Sequence, residues 1–429
     1  MTGERARSAE PPRALYVHVP FCLSVCPYCD FVVHTGRTAR GPTSAVDAFV
    51  AAAVAEVRLR AEGVRGRFGT LGPLRSVYLG GGTPSLLAPA QVASLLAAAQ
   101  EGFGLASDAE ITLEANPGPA DRGDLVGFRA AGVNRLSIGA QSFQASELRR
   151  LGRRHAPEDV ANTVRHARRA GFDDVSLDLL YDVPGQTLDS WRRSLGRALA
   201  LEPQHISAYA LALDDPQAEG LTGVDGDHLP IRRGARRWRR HASAEQDDDR
   251  AAACYELLDT MLTDVGLCWY EISNWSSPGR QSRHNLVYWQ GGAYEGVGPG
   301  AHAFDGHLTR RWNAARLDAY LAALLPADGS PTVLPPGGSV SADGQSAAAE
   351  QVILALRTRA GLSALTARLP AFAPPLAWGR SMGLLEEGED RASLRLTLRG
   401  RLLAGELFWR LLPTDPSAAR VADQMDLSA

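Results

Sequence analysis

Short runs of β-favouring residues alternate with longer helix-like segments through the first half of the chain. The strand-like runs lie at residues 14–19, 75–79, 110–114, 135–138, 175–180 and 205–211. The helix-like segments, which repeat apolar residues at helical spacing, lie at residues 44–60, 89–100, 120–131, 157–170 and 187–200. This alternation predicts right-handed βαβ units on a parallel sheet. Six strands fit either an open doubly wound sheet or a barrel, and periodicity does not choose between them.

Three cysteines follow the first strand-like run directly, as Cys22-x3-Cys26-x2-Cys29. Thiolates ligate iron–sulfur clusters, and three of them leave one iron of a [4Fe–4S] cluster open, as a catalytic metal site requires. The alternatives are a zinc site and buried free cysteines. Zinc normally takes four ligands in two pairs, and no second CxxC pair follows. The spacing therefore predicts a [4Fe–4S] cluster.

Residues suited to ligand binding stand where later strand-like runs end. The second run leads into the turn GGGTP at 80–84, whose glycines let a ligand approach the backbone closely. The third ends at Glu114, where Asn116 in the following turn is expected to be a helix cap. Asp178 lies within the fifth run, where a charge needs a partner such as Arg153 or polar ligand atoms. We expect these strand ends to form one pocket.

The composition is that of an ordinary globular protein, and the grouping of three of its five cysteines indicates a reducing compartment. The 429 residues, 45% of them hydrophobic, allow one large α/β domain and a smaller second one. The net charge of −3 gives no reason to expect nucleic acid as a partner. Neither an 18-residue apolar run nor a signal-peptide core is present, so we expect a cytoplasmic protein.

Changes in composition divide the chain. The predicted segments are a disordered tail at 1–13, the α/β domain at 14–324, a Pro/Gly/Ser-rich linker at 325–345, a small winged-helix-like domain at 346–412 and a tail at 413–429. Within the α/β domain, residues 217–246 form an arginine-rich insertion that we expect to be solvated. A docking patch for an acidic partner or a membrane surface is the alternative.

The cysteine spacing and its flanking residues resemble those of the radical SAM superfamily. Over residues 14–410 the chain is similar to the family of oxygen-independent coproporphyrinogen III oxidase and the haem chaperone HemW. The resemblance implies a partial (β/α)6 barrel with Cys22, Cys26 and Cys29 on the cluster. It implies that Tyr16, Gly81 and Glu114 contact S-adenosylmethionine (SAM). The positions that match a second SAM in the oxidase are Tyr28, Gly82, Thr83, Gln141, Arg153, Asp178 and Ala212.

Three features favour the chaperone within this family. Phe31 stands where the oxidase has a fourth cysteine, and only about a dozen residues precede the first strand, where the oxidase carries a long arm. The third feature is the stretch RHNLVYW at 283–289, which matches the HNxxYW motif linked to haem binding. The haem contacts that it implies are His284, Asn285, Tyr288 and Trp289, and His302 is a further candidate ligand. Without the family, this motif would be read as a structural loop.

The sequence therefore predicts a radical SAM haem chaperone that binds a [4Fe–4S] cluster, SAM and haem. Its expected partners are haem, acceptor haemoproteins including ones at a membrane, and an electron donor such as a flavodoxin or ferredoxin. One alternative is the oxidative decarboxylation of coproporphyrinogen III by a deoxyadenosyl radical, for which the chemistry is the cofactor's. A radical SAM methyltransferase is a second alternative. Whether the chain is an enzyme stays open.

Overall fold

The structure, a computed structural model, describes residues 9–327, 329, 331–388 and 392–413. Residues 1–8 and 414–429 of the two predicted tails lie outside the described residues. The chain forms two compact units, and the boundary between them falls after Val340. Two short segments, Tyr270–Ile272 and Trp289–Gly291, group with the second unit although they precede that boundary.

Six parallel strands, adjacent in space in their order along the chain, form the centre of the first unit. They are β1 (Ala14–Val19), β2 (Leu74–Gly81), β3 (Leu105–Ala115), β4 (Arg135–Gln141), β5 (Asp174–Tyr181) and β6 (His205–Ala210). Each overlaps a strand-like run of the sequence, and every neighbouring pair is parallel. The predicted six-stranded α/β fold is confirmed.

Helices connect these strands, as the alternation predicts. They are α1 (Val46–Phe68), α2 (Pro89–Gly102), α3 (Leu125–Ala130), α4 (Ala145–Arg150), α5 (Pro157–Arg169) and α6 (Leu188–Leu199). Local chemistry sets several starts: proline is the first residue of α2 and α5, and the Thr187 hydroxyl accepts the Ser190 N–H at the start of α6. The short α4 has no counterpart among the predicted helices.

The sheet extends beyond the six strands to twelve. On one side, β9 (Tyr294–Val297) pairs in parallel with β1, and β10 (His302–Phe304), β11 (Thr309–Asn313) and β12 (Gly337–Ser341) follow. On the other side, β8 (Asn274–Ser276) pairs antiparallel with β6, and β7 (Cys268–Glu271) lies beyond it. The helices between β6 and β12 are α7 (Arg233–Ser243), α8 (Asp248–Asp264), α9 (Arg283–Trp289) and α10 (Leu317–Leu324).

The two faces of the six-stranded sheet differ in chemistry. On one face Val17, Leu79 and Leu113 are fully buried among apolar side chains. The register aligns Tyr16 with Tyr78 across the opposite face, and farther along the sheet it aligns Glu114 with Ser137 and Asp178 with Ser207. Since side chains alternate along a strand, each strand buries one set and turns a polar set inward. This polar face forms the interior of the barrel.

A buried charged network fastens α1 to the turn that follows β9. The Glu56 carboxylate accepts hydrogen bonds from Arg60 (2.9 Å) and from the amide of Asn313 (2.8 Å) through Oε1. Its Oε2 accepts from the Gly298 N–H (3.0 Å) and the Tyr320 hydroxyl (2.8 Å). Glu56 is 0% exposed, so every polar contact of its charge is inside the protein.

The arginine-rich insertion is more structured than the sequence predicts. Its centre is α7, and Arg239 on that helix is 5% exposed. The Arg239 guanidinium donates hydrogen bonds to the carbonyl oxygens of Pro27 (3.1 Å) and Tyr28 (2.7 Å) and also contacts the Asp214 carbonyl. The expectation of a wholly solvated insertion is therefore wrong at Arg239, because backbone carbonyls of the cysteine loop offset the burial of its charge.

The second unit has its own apolar core around residues such as Val352, Leu394 and Leu407. A three-stranded antiparallel sheet with order β13-β15-β14 joins four helices, which fits the predicted winged-helix-like domain. The elements are α11 (Gly344–Arg357), β13 (Leu362–Ser363), α12 (Ala373–Ser381), β14 (Leu385–Glu387), β15 (Ser393–Leu396), α13 (Leu398–Leu402) and α14 (Ala404–Leu411).

Two details of the second unit are local. The strand β13 is followed by a single 3-10 turn at Thr366–Arg368. The helices α13 and α14 meet at Leu403. In the ranges that the structure describes, no helix is long and apolar enough to cross a membrane.

Candidate functional site

A cavity of about 540 Å³ opens at the carboxyl ends of the six parallel strands. It brings together residues that are spread along the sequence from Cys22 to Asn285. The predicted site residues that line it are Cys22, Cys26, Tyr28, Cys29, Gly81, Gly82, Thr83, Glu114, Gln141, Arg153, Asp178, Ala212 and Asn285. Tyr16, His284, Tyr288 and Trp289 are not part of its wall.

The three cysteines lie on the loop that follows β1, and all are free thiols. The Cys22 N–H donates to the His34 carbonyl (3.0 Å) and the Cys29 N–H donates to the Cys26 carbonyl (3.1 Å), so the loop is closed at both ends. Cys22 Sγ lies 3.2 Å from the Thr83 hydroxyl. Burial raises the pKa of the Cys22 thiol to about 11 and also raises the pKa of Cys29.

The glycine turn after β2 passes so close to β1 that side chains are excluded. Gly81 has a φ of +101°, and a Cβ there would lie 2.3 Å from the ring of His18. A Cβ on Gly82 would lie 2.6 Å from the Val19 carbonyl oxygen, which cannot move aside. Glycine is required at both positions because the turn must approach the cysteine loop closely.

Glu114, at the end of β3, accepts two hydrogen bonds from the barrel interior. The Tyr78 hydroxyl donates to Oε1 (2.9 Å) and the Gly81 N–H donates to Oε2 (3.0 Å). Burial, reinforced by the nearby Asp178 charge, raises the pKa of Glu114 to about 7. Burying a charged carboxylate costs free energy. A carboxylate that is nevertheless retained at the cavity is suited to a cationic or hydroxyl group of a ligand.

The raised pKa of Glu114 predicts a pH dependence of stability in the ligand-free protein. Between about pH 4.5 and 7 the folded state holds a proton that the unfolded state has released. Stability from this group therefore falls as the pH rises through that window. We expect the difference in Tm, wild type minus Glu114→Gln, to decrease by a few degrees from pH 5 to 7.5 and then to level off. Groups common to both proteins cancel, so a difference that stays constant would refute the prediction.

Arg153 joins the cysteine loop to the end of β4. Its guanidinium donates to the Gly139 carbonyl (2.8 Å), contacts the Asn116 side-chain oxygen and lies 3.8 Å from Cys26 Sγ. Next to it Gln141 has a φ of +62°, which is a strained conformation for this residue type and is often found at functional sites. The Arg153 guanidinium is thus placed next to one of the three thiols.

Asp178 lies across the cavity on β5, where the Ser137 hydroxyl contacts its carboxylate at 3.0 and 3.1 Å. Burial raises its pKa, and the serine hydrogen bond opposes that shift. The expected pairing of Asp178 with Arg153 is replaced by this contact with Ser137. Arg153 bonds instead to Asn116 and Gly139, at the end of β4.

Asn116 is the main site residue that sequence reasoning missed. The Asn116 amide donates to the Thr83 hydroxyl (3.0 Å) and to the Asp121 carboxylate (3.2 Å), and its oxygen contacts Arg153. The expectation of a helix cap is wrong, because these longer-range partners occupy the side chain. The turn sequence ANPG was the only local signal.

Tyr16 and the haem-motif residues lie deeper than the cavity wall. The Tyr16 hydroxyl is 3.1 Å from His18 Nδ1. His284 is 1% exposed, and its Nδ1 and Nε2 lie 2.9 Å from the Ser76 hydroxyl and 2.8 Å from the Tyr288 hydroxyl. Trp289 belongs to the second unit, where the Arg357 guanidinium lies over its ring. Of the motif, Asn285 alone reaches the cavity.

His302 also has a partner in place. Its Nε2 lies 2.8 Å from the Asp227 carboxylate, whose other oxygen is 2.9 Å from His228 Nδ1. The Trp312 ring stacks against His302 at a centroid distance of 6.1 Å. These contacts join the insertion to strand β10. They give His302 a structural role, although the sequence marked it as a candidate ligand.

The residues present fit a cluster with a bound SAM. Three free thiols share one wall of the cavity with Arg153 beside Cys26, and burial keeps the Cys22 and Cys29 thiols protonated unless a metal offsets the cost. The backbone of the glycine turn and the Glu114 carboxylate line the same cavity, and they are a donor and acceptor set suited to an amino acid group.

Comparison with known proteins identifies the family of this chain. The radical SAM superfamily model matches residues 16–198, which contain the cysteine loop and most of the site. The heme chaperone HemW of Mycobacterium tuberculosis is 39% identical over 402 residues, which cover 94% of this chain and 95% of that protein. HemW of Escherichia coli is 36% identical over 304 residues, 70% of this chain and 73% of that protein.

Among solved structures, the radical SAM enzyme coproporphyrinogen III oxidase (HemN) from Escherichia coli superposes on 95% of this chain and 91% of its own, with a TM-score of 0.73. The sequence identity in that comparison is 24%, so the likeness shows the fold. The predicted radical SAM barrel is thereby confirmed.

Proposed function

Given that the chain belongs to the HemW family of radical SAM proteins, we propose that it is a haem chaperone. In this proposal it binds a [4Fe–4S] cluster, SAM and haem, and delivers haem to acceptor haemoproteins. The observation that carries the proposal is the similarity to a heme chaperone HemW over 95% of that protein. The free thiols of the cysteine loop suit a reducing compartment, so the proposal includes a cytoplasmic location.

Different residues around the cavity would hold the cluster and SAM. Cys22, Cys26 and Cys29 would bind three irons as thiolates, and SAM bound at a reduced cluster supplies radical chemistry. The Gly81 backbone and the Glu114 carboxylate would orient the methionyl end of SAM. Arg153 holds the end of β4 against Cys26. The cluster and SAM would serve haem transfer in a reductive or gating role.

The second set of predicted SAM contacts is kept in the proposal as further residues of the same cavity. Tyr28, Gly82, Thr83, Gln141, Asp178 and Ala212 line the same cavity as Glu114 and the thiols. A cavity of about 540 Å³ falls within the range of small-molecule sites. One SAM or two are both compatible with the proposal.

We keep the HNxxYW motif as the proposed haem contact. Burial, with the Arg135 charge adding to it, lowers the pKa of His284 to about 3, so its imidazole is neutral, the form that binds iron. To bind iron, His284 would exchange its contact with Ser76 or with Tyr288 for the metal. Asn285 at the cavity wall and the rings of Tyr288 and Trp289 would pack on the porphyrin.

Two parallel anaerobic assays on reconstituted, reduced protein with SAM test the proposed function. We expect haem titration to produce a saturable Soret band, and coproporphyrinogen III to give no protoporphyrinogen. His284→Ala should weaken haem binding about tenfold or shift the Soret band, because an axial imidazole is lost. His166→Ala, at an exposed helical position, is the matched control. Turnover of coproporphyrinogen III would replace the chaperone by the oxidase, and an unchanged Soret titration in His284→Ala would remove His284 as ligand.

A further inference from the structure

The helix α7 presents a strip of positive charge to solvent. Arg233, Arg237 and Arg240 recur at intervals of four and three residues, so they lie on one side of the helix. All three are exposed, and within the part of the chain that the structure describes none of them makes an ion pair. In a chain of net charge −3, such an unpaired basic strip is a local exception. We call these three side chains the arginine strip.

Another side of the same helix is anchored to the cysteine loop. Arg239 is buried there, with its guanidinium on the carbonyl oxygens of Pro27 and Tyr28. Those two residues are the ones between Cys26 and Cys29. The helix that carries the arginine strip therefore contacts the cysteine loop directly, between two of its three thiols.

We propose that the arginine strip is the docking surface for an acidic one-electron carrier protein that reduces the cluster. This inference rests on the proposed function, since it needs a cluster held by Cys22, Cys26 and Cys29. Electron transfer falls steeply with distance, so a carrier has to dock close to the cysteine loop. Electron-transfer complexes use small interfaces, and opposite charges speed their encounter.

The carrier supplies the electron, so the redox step needs no other reductant. One electron leaves the reduced flavin or iron–sulfur centre of the carrier and enters the [4Fe–4S] cluster, and no bond forms or breaks between the proteins. The carrier is oxidised by one electron and departs. Weak, salt-sensitive binding suits this exchange, because the carrier must be released after each transfer.

An anionic membrane surface could also attract three arginines, but the placement favours a carrier. An interfacial helix needs an apolar face to enter the lipid. The buried residues of α7 are Arg239 and Ala242, which already pack inside the protein. Phe31, which is 59% exposed and two residues after Cys29, would offer a docked carrier one apolar contact at the cysteine loop.

The test reverses the charge of two strip residues in the full-length reconstituted protein. The variant is Arg237→Glu/Arg240→Glu, which leaves Arg239 untouched. The control is Arg192→Glu/Arg193→Glu on α6, where two exposed arginines give the same change in net charge. A flavodoxin in its hydroquinone form is the probe. Its affinity is measured at low and high salt, and the rate of cluster reduction is followed by loss of visible absorbance.

We expect the strip variant to bind flavodoxin about tenfold or more weakly at low salt and to be reduced correspondingly slowly. The control should change by less than about twofold. Reduction by photoexcited 5-deazariboflavin, a small neutral reductant, should be the same in all three proteins. Failure of that reduction in the wild type would instead indicate the absence of a working cluster, and would refute the proposed function rather than the docking surface.

Three outcomes would overturn the docking proposal. The first is an equal loss of flavodoxin binding in both variants, and the second is no binding by the wild type. The third is binding to vesicles of phosphatidylglycerol and phosphatidylcholine that the strip variant alone loses, with flavodoxin binding unchanged. That last result would assign the arginine strip to a membrane surface.

Discussion

Replacing Cys26 by alanine should abolish the brown absorbance and the iron content that wild-type protein gains on anaerobic reconstitution. In the proposed function the cluster would have three protein ligands, so the loss of one would leave two irons without a thiolate. Cys26 is also the thiol that Arg153 approaches, at 3.8 Å, and its partner Cys22 is held by Thr83. Two remaining thiols are not expected to retain a [4Fe–4S] cluster. Absorbance near the visible charge-transfer bands and iron per chain are the measurements.

Cys268→Ala is the matched control for this experiment. Cys268 is also a free cysteine, but it lies on β7 and away from the cavity. It should reconstitute like the wild type. An unchanged spectrum and iron content in Cys26→Ala would mean that the thiols at 22, 26 and 29 do not hold the cluster, and the functional proposals above would fall with it.

Replacing Glu56 by alanine should destabilise the first unit by about 3–5 kcal/mol. The change removes a fully buried carboxylate and leaves Arg60, which is itself buried, without its ion pair. It also leaves the amide of Gly298 and the hydroxyl of Tyr320 without their acceptor. Each of these groups lost its hydrogen bonds to water on folding. Once its protein partner is removed, this desolvation penalty lowers the free energy of unfolding in full. Denaturant unfolding followed by the fluorescence of the protein measures the loss.

The control for Glu56 is a salt bridge of the same residue types on the surface. Glu101 pairs with Arg58 at 3.3 Å, and both side chains are more than half exposed. Glu101→Ala should cost less than about 1 kcal/mol, because water screens the pair and solvates what remains. Equal effects of the two substitutions would show that the buried network contributes no more than an exposed ion pair.

The repeated βα pattern and the cysteine spacing predicted most of the first unit. The six central strands and the helices between them repeat apolar residues over segments long enough for the period to be read. The positions that line the cavity follow from the same cause, since parallel strands bring their carboxyl ends to one edge. Glu114 and Asp178 could therefore be assigned to one pocket from residues alone.

Other features have no local signal. The outer strands β10 and β12 have three and five residues of mixed polarity, so their period cannot be read. Asn116 meets Thr83 and Arg153, which are 33 and 37 residues away in the chain. Arg239 looks like any other residue of a basic segment until its contacts with Pro27 and Tyr28 are known. Contacts of this range are decided by the topology, and short windows of sequence do not contain them.

The place of β1 in the sheet has a consequence during synthesis. This first strand lies between β2 and β9, and Ala14 pairs with Tyr294, 280 residues later in the chain. At about 5–20 residues per second, the ribosome needs roughly 15–60 s to make that partner. Throughout this interval the cysteine loop is attached to a strand with one open edge, and its thiols are exposed to oxidants and stray metals. We therefore expect the cluster to be inserted after translation is nearly complete.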